Sequence, residues 1–406
     1  MQYFRQIVVC TENHWIMNNI IENQIRILKH IPLDFKRYIY SKINWNCRMI
    51  GLVGPRGVGK TTLVLQYIKD HNDENNSFIY YSADNITHRV KSLVDLADKI
   101  YKNNGHCLVL DEIHKYSHWS QELKEIYDSY PDLQVIFTGS SVLDIHSGMS
   151  DLSRRASMYE MQGLSFREFL SMNKKINTEV FTLEDILKHK EQIPGLEHPL
   201  PFFKEYLEKG YYPYGNDPDY ENKLSQVIVQ TMETDIPLYA NLNTSTGRKF
   251  RKLLEIIADS VPFKPSMQKL AEMIGVSRNQ MADYLLYIER AGMIAQLRND
   301  VGGIRSLGKV EKVYLDNSNL CYALSIQTPN IGNIRETFFL NQMRVNYDVR
   351  SSKESDFCIN NLTFELGGRS KQSKQISNIE NAYIVKDEIE YGYQNTIPLW
   401  AFGLTY

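Results

Sequence analysis

The stretch GLVGPRGVGKTTL, residues 51–63, constrains the fold of this chain more than any other part of the sequence. Its spacing is G-x-x-x-x-G-K-[ST], that of a Walker A phosphate-binding loop. The apolar run Met49–Val53 before the loop predicts a buried parallel strand, and Thr61–Asp70 after it has the apolar spacing of a helix. A strand, a glycine-rich loop and a helix in this order predict an α/β domain that binds a nucleotide.

Each residue type in this loop has a physical reason. Glycines let the backbone curl until several N–H groups point at one phosphate, beside the positive end of the helix dipole. Lys60 is expected to reach the β- and γ-phosphates, and the Thr61 hydroxyl to ligate Mg²⁺. The flanking strand and helix disfavour the alternative, an ordinary glycine turn. The predicted cofactors are therefore ATP and Mg²⁺, and the predicted nucleotide-binding residues are Gly54, Pro55, Arg56, Gly57, Val58, Gly59, Lys60, Thr61 and Thr62.

A second motif supplies the carboxylates that such a site needs. CLVLDE, residues 107–112, has four apolar residues followed by Asp111 and Glu112, which predicts a buried strand ending in an acidic pair. We expect Asp111 to hold the magnesium shell and Glu112 to orient and polarise the attacking water. An acidic pair at a strand end is common by itself, but after a phosphate loop it is much more specific.

Hydroxyl and imidazole side chains follow these motifs. LQVIFTGSS, residues 133–141, predicts another buried strand. If it lies between the loop strand and the carboxylate strand, Thr138 or Ser140 would lie beside the γ-phosphate as a sensor. The alternative is a hydroxyl that caps the next turn. His114 and His118 stand four apart, but no third ligand follows at a telling distance, so no metal site is predicted there.

Bulk properties limit the class of protein. A chain of 406 residues is expected to form two or three domains. Lys and Arg total 46 against 48 Asp and Glu, so any DNA-binding surface must be local. The five cysteines include no C-x-x-C pair, which is typical of a reducing cytosol. Without a signal peptide or a run of about 18 apolar residues, we expect a soluble cytoplasmic protein with no membrane partner.

The order of several segments resembles that of a large family of prokaryotic AAA-type ATP-binding proteins. The segments are RYIYSKI, GLVGPRGVGKTTL, CLVLDEIHKYSHW, VIFTGSS, DLSRRA and GLSFREFL. In that family the P-loop domain precedes a winged helix and a C-terminal domain of uncharacterised role with a nuclease-like fold. The resemblance implies an AAA-type P-loop NTPase parallel sheet, then a winged-helix domain, then a C-terminal α+β PD-(D/E)xK-like domain. It also implies the boundaries 1–45 (helical lead-in), 46–172 (ATPase), 173–247 (helical lid or linker), 248–302 (winged helix-turn-helix) and 303–406 (nuclease-like).

The resemblance extends to an arginine. The family pattern L-x-G-R falls on residues 152–155, with Arg154 where a glycine is usual. Arg155 then resembles an arginine finger, which would neutralise charge on the γ-phosphate in the transition state. The alternative is that either arginine pairs with a surface carboxylate. Which of the two reaches a site, and whether it acts in its own subunit or in a neighbour of an oligomer, stays open.

The segment 248–300 has the pattern of a winged helix-turn-helix. Three amphipathic helices are predicted, with Ser277 as the N-cap of the third, and the strand-like IAQLRND would begin the wing. Arg278, Asn279 and Gln280 would read a DNA groove. Nine Lys and Arg against six Asp and Glu give this window a weak basic surplus. The alternative is a lid or a protein contact.

The last segment carries three acids in the layout of a PD-(D/E)xK nuclease, which the resemblance also implies. They are Glu336 on a predicted helix, Asp356 at a strand and Glu365 on the next strand. The lysine expected two residues after the glutamate is Gly367 here, although Arg369 or Lys371 could reach in. We predict a degenerate site kept for its shape, for nucleic-acid contact or for a partner.

These features predict an ATPase that hydrolyses ATP with Mg²⁺ and couples its nucleotide state to a winged helix and a nuclease-like tail. Hydrolysis would drive work on DNA or on a protein partner. One alternative is a regulatory switch with little turnover, in which the nucleotide exposes or hides the winged helix and tail. A weaker alternative is an ATP-regulated nuclease.

Overall fold

The computed structural model describes residues 17–71, 77–84, 90–140, 152–243, 245–260, 264, 266–299, 309–325, 328–372, 376 and 379–406. The chain divides into two compact units, Met1–Met161 and Gln162–Tyr406. Each unit contains a five-stranded sheet, and the second also contains a two-stranded one. None of the helices in these ranges combines the length and the apolar character that a bilayer crossing requires.

The first unit is built on a parallel sheet. Its strands are β1 (Met49–Gly54), β2 (Phe78–Ser82), β3 (Cys107–Asp111), β4 (Gln134–Ser140) and β5 (Ser157–Glu160). The order across the sheet is β2-β3-β4-β1-β5, and every pairing is parallel. The strand β4 therefore lies between the loop strand β1 and the carboxylate strand β3, which meets the condition for placing Thr138 and Ser140 near the phosphate loop. Because the carboxyl ends of parallel strands meet at one edge, the loop after β1 and the acids after β3 share that edge.

Helices cover both faces of this sheet. They are α1 (residues 17–29), α2 (Lys60–His71), α3 (Leu93–Lys102) and α4 (Trp119–Ser129), with 3₁₀ turns at Tyr38–Ser41 and Ile113–Lys115. Leu63 and Ile68 of α2 pack in one apolar cluster with Val109 of β3. Leu96 of α3 and Leu123 of α4 pack in the other cluster, together with Leu108 and Leu110 of β3. Alternate side chains of each buried strand thus serve opposite faces, which is why these strands read as continuous apolar runs.

The side chain of Gln24 makes hydrogen bonds with one edge of the sheet. Gln24 of α1 is fully buried beside the edge strand β2. Its amide nitrogen donates to the carbonyl of Phe78 (2.9 Å), and its amide oxygen accepts the N–H of Tyr80 (2.7 Å). Main-chain groups of an edge strand otherwise lack a strand partner. Gln24 therefore provides the hydrogen bonds that a further strand would make at this place.

The second unit is mainly helical before its tail. Its α-helices are α5 (Phe166–Phe169), α6 (Leu183–Leu187), α7 (Pro199–Lys209), α8 (Tyr220–Gln230), α9 (Ile236–Tyr239), α10 (Ser245–Ser260), α11 (Met267–Ile274), α12 (Arg278–Arg290), α13 (Ser318–Leu324) and α14 (Ile331–Met343). Two π-helical segments, Leu170–Lys174 and Thr231–Asp235, and a 3₁₀ segment, Leu399–Leu404, complete them. The aromatic side chains of Tyr206, Tyr211 and Tyr212 are fully buried, so they serve as core.

Helices α10, α11 and α12 are followed by the antiparallel strands β6 (Ile294–Arg298) and β7 (Val310–Leu315). This is the order of elements predicted for the winged helix, although its assignment to that class stays a prediction. Ser277 caps α12 as predicted, because its side chain accepts the N–H of Gln280. The predicted boundary at residue 303 falls between β6 and β7, which the structure pairs.

The tail forms a mixed sheet of β8 (Val349–Ser351), β9 (Phe357–Ile359), β10 (Leu362–Gly367), β11 (Ala382–Lys386) and β12 (Thr396–Pro398). The order is β12-β11-β10-β9-β8. Strands β8, β9 and β10 pair antiparallel, and β10, β11 and β12 pair parallel. The tail is thus α+β in architecture. Its nuclease-like identity stays a prediction.

Candidate functional site

The loop between β1 and α2 adopts a conformation that requires glycine. Gly57 has φ of 85° and Gly59 φ of 98°, in the left-handed region that other residues disfavour. A Cβ on Gly54 would lie 2.2 Å from the carbonyl oxygen of Met161. Helix α2 begins at Lys60, directly after the loop. The first turn of that helix therefore directs main-chain N–H groups toward the loop, which is the arrangement that binds phosphate.

Lys60 is held inside the loop. Its ammonium donates to the main-chain carbonyls of Gly54 and Pro55, both at 2.8 Å. The residue is 6% exposed. A phosphate that enters the loop can bind this ammonium in place of the two carbonyls, because a charged acceptor makes a stronger hydrogen bond than a neutral one. Another buried cation supports the loop from outside: Arg37 donates to the carbonyl of Val58 (2.6 Å).

Asp111 is the centre of a hydroxyl network. The Thr61 hydroxyl lies 3.0 and 2.9 Å from its two carboxylate oxygens. Thr138 donates to one oxygen (2.5 Å) and Tyr80 to the other (2.8 Å). Burial and the charge of Glu112 raise the pKa of Asp111, against the hydrogen bonds from the three hydroxyls. The two predicted magnesium ligands, Thr61 and Asp111, are thus in direct contact.

Glu112 is held in a strained conformation. Its φ and ψ are 53° and 38°, the left-handed region that non-glycine residues seldom occupy. Its N–H donates to the hydroxyl of Thr138 (3.1 Å). Burial alone would raise the pKa of its carboxyl, but His114, Lys60 and Arg56 together lower that pKa to about 2. Glu112 is therefore an anion throughout the neutral range, facing the positive charge of the phosphate loop.

The two predicted sensor residues have different contacts. The Thr138 hydroxyl bridges Asp111 and the backbone of Glu112, so it organises the acidic pair directly. Ser140 contributes its main-chain N–H, which donates to His114 Nδ1 (3.3 Å). Both lie at the carboxyl end of β4, the edge that carries the loop. Their contact with a γ-phosphate stays a prediction.

Arg155 lies away from its own phosphate loop. Its guanidinium binds Asp128 in a fork, with Nε and Nη2 at 3.0 and 2.9 Å from the two carboxylate oxygens. It precedes Ser157, the first residue of β5, which pairs with the start of β1. Ser157 is opposite Ile50, four residues before Gly54, so at about 3.3 Å per residue this edge lies about 13 Å from Gly54 at the end of β1. Arg154 is exposed. The contact with Asp128 is the surface pairing that the sequence left open as the alternative.

The three acids of the tail come together, and lysines neutralise them. Lys312 lies 3.1 Å from the Glu336 carboxylate and 3.5 Å from that of Asp356. Lys371 pairs with Glu365. Burial and the charge of Glu336 raise the pKa of Asp356. Within the described ranges, no three His, Cys, Asp or Glu side chains are arranged to hold a metal ion.

The side chain of Lys371 lies beside Gly367, the position at which the nuclease pattern expects a lysine. A Cβ on Gly367 would lie 2.6 Å from the Cβ and Cγ of Lys371, so the stem of Lys371 occupies the space that a side chain at 367 would enter. Of the two candidates for this role, Lys371 contacts Glu365, whereas Arg369 is exposed. Whether Lys371 serves a nuclease-like site stays a prediction.

Sequence reasoning missed three residues of the phosphate site. Tyr80 was part of a predicted strand, but its pairing beside Asp111 depends on the strand order. Arg37 lies in the segment RYIYSKI, which was used only for the resemblance. The sequence offers His114 only as a possible metal ligand, yet its side chain is buried and faces Glu112. The signal that could have found it is its position two residues after the acidic pair.

The parallel sheet, the phosphate loop and the acidic pair define the first unit as a P-loop NTPase domain. Residues 46–170 match the family model of the AAA domain, so the chain contains a P-loop domain of the AAA type, as predicted. Residues 201–330 match a domain of unknown function, DUF8612. No curated protein sequence matches the chain.

Two solved structures show how similar this chain is to known structures. The ORC1 protein of Aeropyrum pernix, solved in complex with DNA, has a TM-score of 0.30 and 13% identity, covering 75% of this chain and 91% of that one. AMPPCP-bound DnaA from Aquifex aeolicus has a TM-score of 0.26 and 15% identity, covering 65% of this chain and 86% of that one. At these TM-scores the likeness carries no argument about function.

Proposed function

We propose that the first unit binds ATP with Mg²⁺ and hydrolyses it in a slow or controlled manner. The observation that carries this proposal is the contact of Thr61 with Asp111, 2.9 to 3.0 Å, beside an anionic Glu112. A hydroxyl and a carboxylate together are oxygen ligands suited to Mg²⁺, which keeps most of its water. The donor set therefore fits the ion.

Each residue has a distinct role in this proposal. Lys60 and the N–H groups at the start of α2 bind the β- and γ-phosphates. Thr61 and Asp111 hold Mg²⁺, which when bound neutralises charge on the phosphate oxygens. Glu112 orients a water molecule for attack on the γ-phosphate and polarises it. A carboxylate with a pKa near 2 is a weak base, so orientation is the larger part of its role.

Arg155 is proposed to act on the nucleotide of a neighbouring subunit. Its place just before β5, about 13 Å along the sheet from the end of β1, supports action between subunits over action within one. In that case Arg155 would exchange Asp128 for phosphate when subunits assemble. The sedimentation of the chain with and without Mg-ATP tests this: if the chain stays monomeric and hydrolyses ATP at a rate unaffected by Arg155→Ala, the proposal fails.

The test of ATP hydrolysis compares three variants with the wild type. Lys60→Ala is expected to lose ATP binding, Asp111→Asn to lose the Mg²⁺ dependence, and Glu112→Gln to bind ATP with little hydrolysis. Labelled ATP retention and phosphate release measure the two steps separately. Failure of the wild-type chain to retain ATP with Mg²⁺ would refute the proposal.

Glu112→Gln also separates the two proposed uses of the nucleotide. A switch should stay in its ATP form and keep its output, because only binding is needed. A motor that drives work on DNA or on a protein partner should lose its output along with hydrolysis. The output measured is the binding of DNA or partner to the full chain.

One feature of the second unit favours DNA as the partner. A cleft of about 520 Å³ lies among the starts of α11 and α12 and the start of β7. Arg278, Asn279 and Lys309 line it, so two cations face the opening. The side chain of Gln280 accepts the N–H of Ser277 in a capping box, which leaves Arg278 and Asn279 as the candidates for base contact.

Binding of labelled duplex DNA over a salt series tests this second proposal. Affinity that falls with salt, with a shallower slope in Arg278→Ala, would support contact with phosphates. Affinity that is absent, or that is unchanged by salt and by Arg278→Ala, would instead favour a protein partner or a lid.

The tail is proposed to keep a nuclease-like shape without nuclease activity. Lys312 and Lys371 neutralise the three acids, and ion pairs of this kind favour a structural role. Incubation of the full chain with Mg²⁺ and DNA tests this. Cleavage by the wild type that is lost in Asp356→Ala would overturn it and support the nuclease alternative.

A further inference from the structure

His114 joins the carboxyl end of β4 to Glu112. It lies in the 3₁₀ turn Ile113–Lys115, and its side chain is 1% exposed. Its Nδ1 accepts the N–H of Ser140, so the ring N–H that can donate is on Nε2. That nitrogen lies 3.2 Å from Glu112 Oε2. One ring thus contacts the sensor strand on one side and the carboxylate on the other.

Glu112 needs such a restraint. Its backbone is left-handed and its side chain is long enough to adopt several rotamers, whereas the attacking water must be held in one position. The 3.2 Å approach of His114 Nε2 to Oε2 restricts the orientations that this carboxylate can adopt. Lys115 Nζ lies farther from the same oxygen, at 3.9 Å, and pairs with Asp84 at 2.6 Å. It supplies charge but no directed hydrogen bond.

We propose that His114 is a positioning residue: it holds the Glu112 carboxylate in its attacking orientation and ties that orientation to the main chain of Ser140. This inference rests on the proposed hydrolysis of ATP and adds a regulatory connection to it. Because Ser140 ends the strand that carries Thr138, any shift of β4 on nucleotide binding reaches Glu112 through the imidazole. Catalysis then depends on the position of β4, without direct contact between Ser140 and the phosphate.

Two conservative variants separate the two contacts of the ring. Glutamine places an amide N–H near the position of Nε2, and asparagine places an amide oxygen near that of Nδ1. His114→Gln is therefore expected to keep kcat within about threefold, whereas His114→Asn and His114→Phe should lower kcat about 10- to 100-fold. The affinity for ATP with Mg²⁺, measured by binding of a fluorescent ATP analogue, should stay unchanged in all three.

Lys115→Gln is the matched control, since it removes a nearby charge without touching the imidazole. Its kcat should stay within about threefold of the wild type. The inference is overturned if Gln and Asn variants lose activity equally, if none loses it, if ATP affinity falls with kcat, or if Lys115→Gln is as impaired as His114→Phe. A wild type that binds ATP without hydrolysing it overturns the proposed function first, and this inference with it.

Discussion

The hydroxyl of Thr138 supports both acids of the site, so its removal should affect stability and catalysis together. Thr138 is fully buried. Its hydroxyl donates to Asp111 at 2.5 Å and accepts the N–H of Glu112 at 3.1 Å. Thr138→Val keeps the shape of the side chain and loses both hydrogen bonds. Thr138→Ser keeps both and serves as the control.

The magnitude follows from the two bonds. A hydrogen bond to a charged group contributes about 1.5 to 3 kcal/mol, and a buried N–H left without a partner costs about 1 to 3 kcal/mol. Because both act through one hydroxyl, we expect a total loss of about 3 to 4 kcal/mol in the free energy of unfolding. For a unit of this size that lowers Tm by about 10 °C. Thr138→Ser should lose only about 1 kcal/mol, for the missing methyl.

Calorimetry without nucleotide gives Tm, and phosphate release with saturating Mg-ATP gives kcat. In Thr138→Val kcat should fall at least about tenfold, because the strained backbone of Glu112 loses its anchor. If Thr138→Val melts within about 2 °C of Thr138→Ser, the hydroxyl does not support the acids, and the reasoning about this network is wrong.

Three further predictions concern single features. Folding raises the pKa of Asp111 above its usual 3.8. The contribution of Asp111 to stability is therefore greatest below pH 3.8 and is lost as the pH rises through the folded-state pKa. Without Mg²⁺, the Tm of Asp111→Asn minus the Tm of the wild type should therefore increase between pH 4 and pH 7, as calorimetry would show. Lys312→Met leaves Glu336 and Asp356 facing each other and should destabilise the second unit by about 1 to 3 kcal/mol in urea unfolding, and adding Glu336→Gln should restore most of it. Gly57→Ala forces a side chain into φ of 85° and should weaken ATP binding about tenfold in a titration, whereas an equal affinity would show that the loop relaxes at no cost.

The nucleotide site could be predicted well because its motifs are local. The loop, Lys60, Thr61 and the acidic pair each lie within one short segment, and the rule that parallel strands end at one edge brings them together. These inferences need only short-range periodicity and one general property of parallel sheets. The strand order places β4 between β1 and β3, a position that the sequence leaves open.

Other features depend on pairings that a local pattern does not encode. The pairing of β6 with β7 joins segments that the predicted domain boundary had separated. The sequence pairs His114 only with His118, four residues on, but the chain forms a 3₁₀ segment and buries His114 beside Glu112. Lys371 reaches Glu365 from outside the motif because Gly367 leaves room for its stem. In each case the partner is set by tertiary packing.

Gln24 has a consequence for assembly. Its amide group makes hydrogen bonds with the carbonyl of Phe78 and the N–H of Tyr80 on the edge strand β2. These two main-chain groups therefore already have a partner and cannot pair with a strand of a second molecule. Any subunit that associates at this border would therefore meet side chains, and the sheet would end within one chain.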